Sequence, residues 1–198
     1  MLEINNLVIQ RDGQALHYQL AVAEGEILAI QGRSGVGKST LLGALAGFVD
    51  TESGDMRWQG QSLLPLAADQ RPVSMLFQDH NLFEHLSALD NMQLGFPGLA
   101  PKEELLEAAK ALDVDELLQK KPTELSGGQR QRIAIIRTLL RPEPIVLLDE
   151  PFAELDQHTR HQAADWVKRT AKQAGKTVLL VTHQQEDVTQ LADRLLVL

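Results

Sequence analysis

Cysteine is absent from this sequence of 198 residues, which excludes disulfides and thiolate metal sites and fits a reducing compartment. Long apolar runs are also missing. None approaches the roughly 18 to 20 residues that a membrane-spanning helix needs, and the N-terminus has no basic-then-apolar leader. Positive charge is in deficit, with 19 Lys+Arg against 27 Asp+Glu and a formal net charge of −8, which disfavours nucleic acid as a partner. Internal repeats, low-complexity segments and flexible linkers are lacking as well. The expectation is a cytoplasmic chain whose membrane role, if it has one, comes through a partner. What remains is 43% apolar and 23% charged, the balance of a soluble globular protein, at a length that suits one domain with a full core.

Short β-rich runs alternate with amphipathic segments, the sign of a parallel sheet with crossover helices. Strands are expected over Leu2 to Ile9 and Leu16 to Val22, with Arg11-Asp12-Gly13 as the turn between them. Ile27 to Ile30 reads as a strand buried on both faces. Lys38 to Gly47 follows as a helix ended by glycine, and Val73 to Gln78 as another apolar strand. From Asp79 to Leu140 helical spacing takes over: Pro101 to Leu112 with acids in its first turn, a short piece at Asp115 to Lys120, and a helix capped by Ser126 that runs to about Leu140. Strand character returns at Ile145 to Leu148, Thr177 to Val181 and Leu195 to Leu198, with a helix over His158 to Gln173 closed by Gly175. The expected organisation is one α/β domain, 1–198, with a core over 1–78 and 142–198 and a helical insertion over 79–141.

Three motifs carry chemistry. Gly32-Arg33-Ser34-Gly35-Val36-Gly37-Lys38-Ser39, followed by Thr40, is a phosphate loop. Its glycines let backbone N–H groups turn inward onto phosphate oxygens, and the loop opens onto a helix N-terminus that favours anions. Lys38 is expected to reach the β- and γ-phosphates and the Ser39 hydroxyl to ligate Mg²⁺. Asp149 and Glu150 end the apolar run from Ile145, which puts two carboxylates at the C-terminal edge of a parallel strand. Asp149 is expected to hold Mg²⁺ and Glu150 to orient or deprotonate an attacking water. Taken alone, acids after a buried strand are often only solvated strand ends. The third motif is Leu125-Ser126-Gly127-Gly128-Gln129, small residues where a helix begins, at which backbone amides and the Ser126 hydroxyl can approach a phosphate closely.

With these motifs in this order, the chain resembles the ATP-binding cassette ATPases from near its first residue to its last. The resemblance implies an α/β P-loop NTPase core with a mostly parallel sheet, an antiparallel β subdomain and a helical insertion. It implies ATP and Mg²⁺ as cofactors and a head-to-tail homodimer in which the phosphate loop of one copy and the LSGGQ of the other sandwich each ATP. Ser126, Gly127, Gly128 and Gln129 would then serve the γ-phosphate held by the opposing subunit. Gln78 matches the family's glutamine that contacts Mg²⁺ and the attacking water, and His183 the histidine that contacts the γ-phosphate. Asp156 matches the loop that couples the two sites, although Glu154 stands where the family commonly has a small residue. The family usually stacks adenine on an aromatic near the first turn; here Arg11 is at about that place, either as a stacking guanidinium or as an exposed turn residue. Tyr18 reads as core. The chain stops at Leu198, where family members continue through another glycine-containing strand pair.

The segment Arg71 to Gln78 followed by Asn81-Leu82-Phe83-Glu84-His85-Leu86 is similar to bacterial importer subunits, and closest to those of the thiamine-importer type. Iron, molybdate, sulfate and polyamine importers use similar segments. The resemblance implies a peripheral subunit on the cytoplasmic face of the inner membrane, working with a transmembrane permease and a periplasmic substrate-binding protein. Leu82, Phe83 and Leu86 would form a socket for the permease or pack the helical part. The alternative is a soluble cassette ATPase acting on ribosomes or DNA, for which a second cassette or a long coiled coil is missing. A small-molecule kinase or GTPase would leave Leu125 to Gln129 unexplained.

Overall fold

A computed structural model describes residues 1–79, 82–96 and 98–198. Asn81, read above as part of the permease-facing segment, lies outside the described residues.

Five strands form one sheet in the order β6-β7-β8-β3-β9, all parallel: β3 (Ile27–Gln31), β6 (Val73–Leu76), β7 (Ile145–Asp149), β8 (Thr177–Val181) and β9 (Arg194–Val197). Every residue of β7 and β8 is buried. The alternation along these strands splits the core in two. Ile145, Leu147, Leu179 and Val181 face one cluster, and Val146, Leu148, Val178 and Leu180 face the other. A sheet covered on both faces needs continuous apolar strands, which is why their runs show no polar alternation in the sequence.

The first cluster is closed by α1 (Lys38–Ala46) and by a second, antiparallel sheet ordered β2-β1-β4-β5, made of β1 (Leu2–Arg11), β2 (Gln14–Val22), β4 (Ser53–Trp58) and β5 (Gln61–Ser62). Asp12 and Gly13 alone join β1 to β2, both at positive φ (51° and 76°), the conformation of a tight two-residue hairpin. The second cluster is closed by α2 (Ala88–Gln93), α3 (Lys102–Ala111), α4 (Gly127–Leu140) and α5 (Gln157–Gln173); α6 (Gln185–Leu191) packs on α5.

Several boundaries differ from expectation by a few residues, and two of them bear on the site. The strand expected over Val73 to Gln78 ends at Leu76, and Gln78 is exposed beyond it. The turn at 11–13 is shorter, because Arg11 closes β1. Leu82 packs partly buried against the helical cluster, as its expected packing role has it, while Phe83 is 51% exposed.

α1 is anchored at its far end by Arg71. This buried side chain donates from Nη1 to the carbonyls of Ala44 and Leu45 (2.9 Å to Leu45) and from Nε to Leu66 O at 3.1 Å. Helix C-termini leave such carbonyls without partners, and a cation there also suits the helix dipole. Arg71→Ala strands the Leu45 and Leu66 carbonyls and leaves Ala44 O with Gly47 N alone, so stability is expected to fall by about 2–4 kcal/mol. A urea midpoint within error of the parent's would show that water replaces the guanidinium.

Candidate active site

β3, β7 and β8 lie side by side, so the segments that leave their C-terminal ends converge on one edge of the sheet. The phosphate loop leaves β3, the pair Asp149 and Glu150 closes β7, and His183 follows β8 after Thr182. Together they line a cleft of about 570 Å³ that also takes in Gln78, Ser34 and Ser39. The C-terminal edge of an open parallel sheet is where such folds bind ligands.

In the phosphate loop, Gly32, Gly35 and Gly37 have φ of 158°, 80° and 105°. At Gly37 the space is closed as well, since a Cβ would collide with the Tyr18 hydroxyl and stand 2.8 Å from Leu16 Cδ1. Tyr18 itself is buried in the core, as expected, and donates its hydroxyl to Gly37 O at 2.9 Å, tying β2 to the loop. Lys38 is only 6% exposed and donates to the carbonyls of Gly32 (2.9 Å) and Arg33 (3.1 Å), which holds its ammonium inside the loop. Val36 N donates to Arg33 O at 3.3 Å and closes the loop's own turn.

The two acids differ in surroundings. Burial pushes the Asp149 carboxyl above the usual carboxylate range, against the pull of a hydrogen bond from Ser39 and the charge of Lys38. Burial raises Glu150 too, opposed chiefly by His183. Glu150 sits at φ 49°, unusual for a residue with a side chain, with its N–H donating to Val181 O at 3.0 Å. Backbone strain of this kind costs about 1–3 kcal/mol and is found where a side chain must be aimed. His183 Nε2 stands 3.2 Å from Glu150 Oε1, at ion-pair distance but without hydrogen-bond alignment, so that this shielded oxygen lacks a donor.

These raised acids have a measurable consequence. A raised carboxyl favours the protonated native state, so the stability it contributes is present at low pH and is lost as pH rises through its folded pKa. Asp149→Asn removes the buried charge and is expected to raise Tm at neutral pH in the absence of nucleotide, by roughly 2–4 °C per kcal/mol recovered. The gain should shrink as the pH falls and the parent acid takes up its proton. A Tm difference independent of pH would refute burial as the cause.

Other expected site residues fall on either side of this cleft. Arg11 and Thr40 line a neighbouring hollow of about 350 Å³ that opens on the same loop, where Arg11 Nη1 donates to Thr40 Oγ1 at 3.0 Å. Asp156 caps α5, accepting from Thr159 N (3.1 Å) and Thr159 Oγ1 (2.7 Å), which lowers its pKa. Ser126 caps α4 in a reciprocal box: its Oγ accepts from Gln129 N at 3.3 Å, and Gln129 Oε1 accepts from Ser126 N at 2.9 Å. Ser126, Gly127, Gly128 and Gln129 do not line the cleft of their own chain.

Sequence reasoning missed Arg160 and Asp187, which both line the cleft. Arg160 reaches back from α5 to donate to Phe152 O at 3.0 Å, and buried Asp187 accepts from Thr182 Oγ1 at 2.6 Å. Neither belongs to a run or spacing that marks it; only folding brings them beside β7 and β8.

The profile of the family described as ABC transporter matches residues 16–153. The thiamine import ATP-binding protein of Aliivibrio fischeri is 44% identical over 197 residues, covering 97% of this chain and 84% of that protein. Its counterpart in Histophilus somni is 43% identical over 195 residues, covering 96% of this chain and 91% of the other. Among solved structures, a dimeric post-hydrolysis state of the ATP-binding cassette MJ0796 bound to ADP and Pi superposes with a TM-score of 0.88 at 29% identity, over 100% of this chain and 94% of that one. A second dimeric structure of MJ0796, described as a bacterial ABC transporter cassette, gives 0.88 at 28% with the same coverage. A family profile across most of the chain and relatives aligned along nearly all of it agree with the phosphate loop and acids gathered at one sheet edge: this chain belongs to the ABC transporter family, as an ATP-binding and ATP-hydrolysing cassette.

Proposed function

We propose that this chain is the motor subunit of a bacterial importer for thiamine, acting as a homodimer on a separate transmembrane permease supplied by a periplasmic binding protein. The observation that carries the motor reading is the cleft itself, where Lys38, Ser39, Gln78, Asp149, Glu150 and His183 meet while Ser126 to Gln129 stay outside. A site with one wall missing is what a second copy would complete. The thiamine reading rests on relatives named for thiamine import that align with nearly the whole chain. Those relatives do not favour action on ribosomes or DNA.

In this reading the phosphates of ATP lie along Gly32 to Thr40, and Lys38 turns from its loop carbonyls to the β- and γ-oxygens. Arg11 and Thr40 border the hollow on the base side. Glu150, aimed by its strained backbone, orients the attacking water and takes its proton; a carboxyl with raised pKa is the better base for that step. His183 holds the γ-phosphate from the other side. The oxygen donors of Ser39 and Asp149, hydrogen-bonded to each other, fit Mg²⁺, a cation that takes one or two protein ligands beside phosphate oxygens and water; Gln78 would complete the set. When bound, Mg²⁺ supplies charge neutralisation at the transferring phosphate. Residues 79–141 would form the part that faces the permease, with exposed Phe83 at the contact. Among the described residues no helix is long and apolar enough to cross a membrane, which agrees with a peripheral subunit at the inner membrane.

The test is uptake. Cells lacking this protein should take up thiamine poorly and recover with the parent but not with Lys38→Ala. Unchanged thiamine uptake, or recovery of the protein with ribosomes instead of a permease, would refute the assignment.

A further inference from the structure

The segment after Glu150 is packed closely against the first turn of α4. A Cβ on Gly127 would collide with Glu154 Oε2 and stand 2.9 Å from Glu154 Cδ; one on Gly128 would stand 3.1 Å from Glu154 O and 3.3 Å from Leu155 Cδ2. The carboxylate of Glu154 therefore fills the place beside Gly127 that a side chain there would take. The first turn of a helix carries partial positive charge, which favours an anion. Glu154 also lines a cleft of about 600 Å³ together with Gln78 and Arg130, so that its position opens towards solvent.

The same segment is joined to the catalytic acid. Ala153 N donates to Glu150 O and Leu155 N to Phe152 O, each at 3.2 Å, so that 150–155 is a run of tight turns. Ala153 lines the nucleotide cleft and the next residue carries the carboxylate at Gly127. A displacement of this run on nucleotide binding would move both.

We propose that Glu154 is a built-in placeholder for phosphate at the start of α4, which each copy must move aside before its Ser126-to-Gln129 segment can receive the nucleotide held by the other. The inference rests on the reading of that segment as the lid on a second copy's ATP. Two anions cannot share the first turn of one helix, because like charges brought together at an interface oppose association. Glu154 thus raises the ATP concentration at which two copies close.

The experiment measures ATP-driven dimerisation by light scattering in a Glu150→Gln background, where closed dimers accumulate. Glu154→Gln keeps the shape and removes the charge; Glu154→Ala removes both. Both are expected to lower the ATP concentration for half-maximal dimer by about tenfold or more, with none of the three proteins dimerising in ADP. Unchanged or raised midpoints would overturn the placeholder. A gain with Ala alone would also overturn it, since it would make size and not charge the obstacle. If the Glu150→Gln parent and both variants bind ATP yet all stay monomeric, the lid reading underneath fails as well.

Discussion

Glu150→Gln will abolish turnover while leaving ATP binding intact, and the protein will accumulate as a dimer in ATP. Glutamine matches glutamate in shape, so the strained backbone at φ 49° still aims it into the cleft. What it loses is the ability to take a proton from water, a contribution of about 10²- to 10⁴-fold in rate. It also loses the charge facing His183 at 3.2 Å, and with it a buried carboxylate that phosphate would otherwise have to approach. Both changes favour a bound, unhydrolysed state. The measurements are phosphate release and mass in solution with and without ATP. Parent-level hydrolysis by a variant that stays monomeric would remove Glu150 from the mechanism.

Lys38→Ala will have the larger effect on binding. In the free protein the ammonium is buried within the loop, held by Gly32 O and Arg33 O, from which it has only to turn to reach phosphate. Each charge-assisted hydrogen bond is worth about 1.5–3 kcal/mol, and two such bonds to phosphate oxygens correspond to a loss of roughly 10²-fold or more in affinity. The variant also frees two carbonyls inside the loop, which should loosen it further. Titration with a fluorescent ATP analogue checks this directly; an affinity within a factor of two of the parent's would show that the backbone amides alone hold the nucleotide.

Much of the fold was readable because the buried strands announce themselves. Thr177 to Val181 was placed to the residue, and the strand starts of β6 and β7 were placed as well. β4 was not, because Ser53-Gly54-Asp55-Met56-Arg57-Trp58 mixes glycine and charge on a strand that has one face in solvent. α2 and α6 are too short, at 6 and 7 residues, for a helical period to emerge. The end of β6 was misjudged for a related reason. Phe77 continues the apolar run, but it leaves the ladder to pack against Phe48, with ring centroids 5.4 Å apart and the rings tilted.

The site was legible where chemistry demands a fixed order of residues and illegible where it demands only proximity. Gly32 to Ser39 and Asp149-Glu150 carry their meaning in their spacing. Arg160 and Asp187 do not, because they reach the cleft from α5 and α6 across distances that no local pattern records. Glu154 was visible only as a residue larger than expected; its meaning came from its contact with Gly127.

The strand order has a consequence for how the protein is made. β3, which carries the phosphate loop, pairs with β8 and β9. Synthesis therefore delivers Ile27–Gln31 long before the partners at 177–181 and 194–197 exist. The β1–β2 hairpin can close at once, but β3, which follows it in sequence, must wait with its apolar faces uncovered until β8 and β9 have been made. Pairings this distant in sequence are slow and leave sticky surfaces exposed. Nucleotide affinity should then arrive almost in a single step once β8 and β9 have been made, and a ribosome stalled before β8 would present a chain that holds the phosphate loop's residues but not yet the loop.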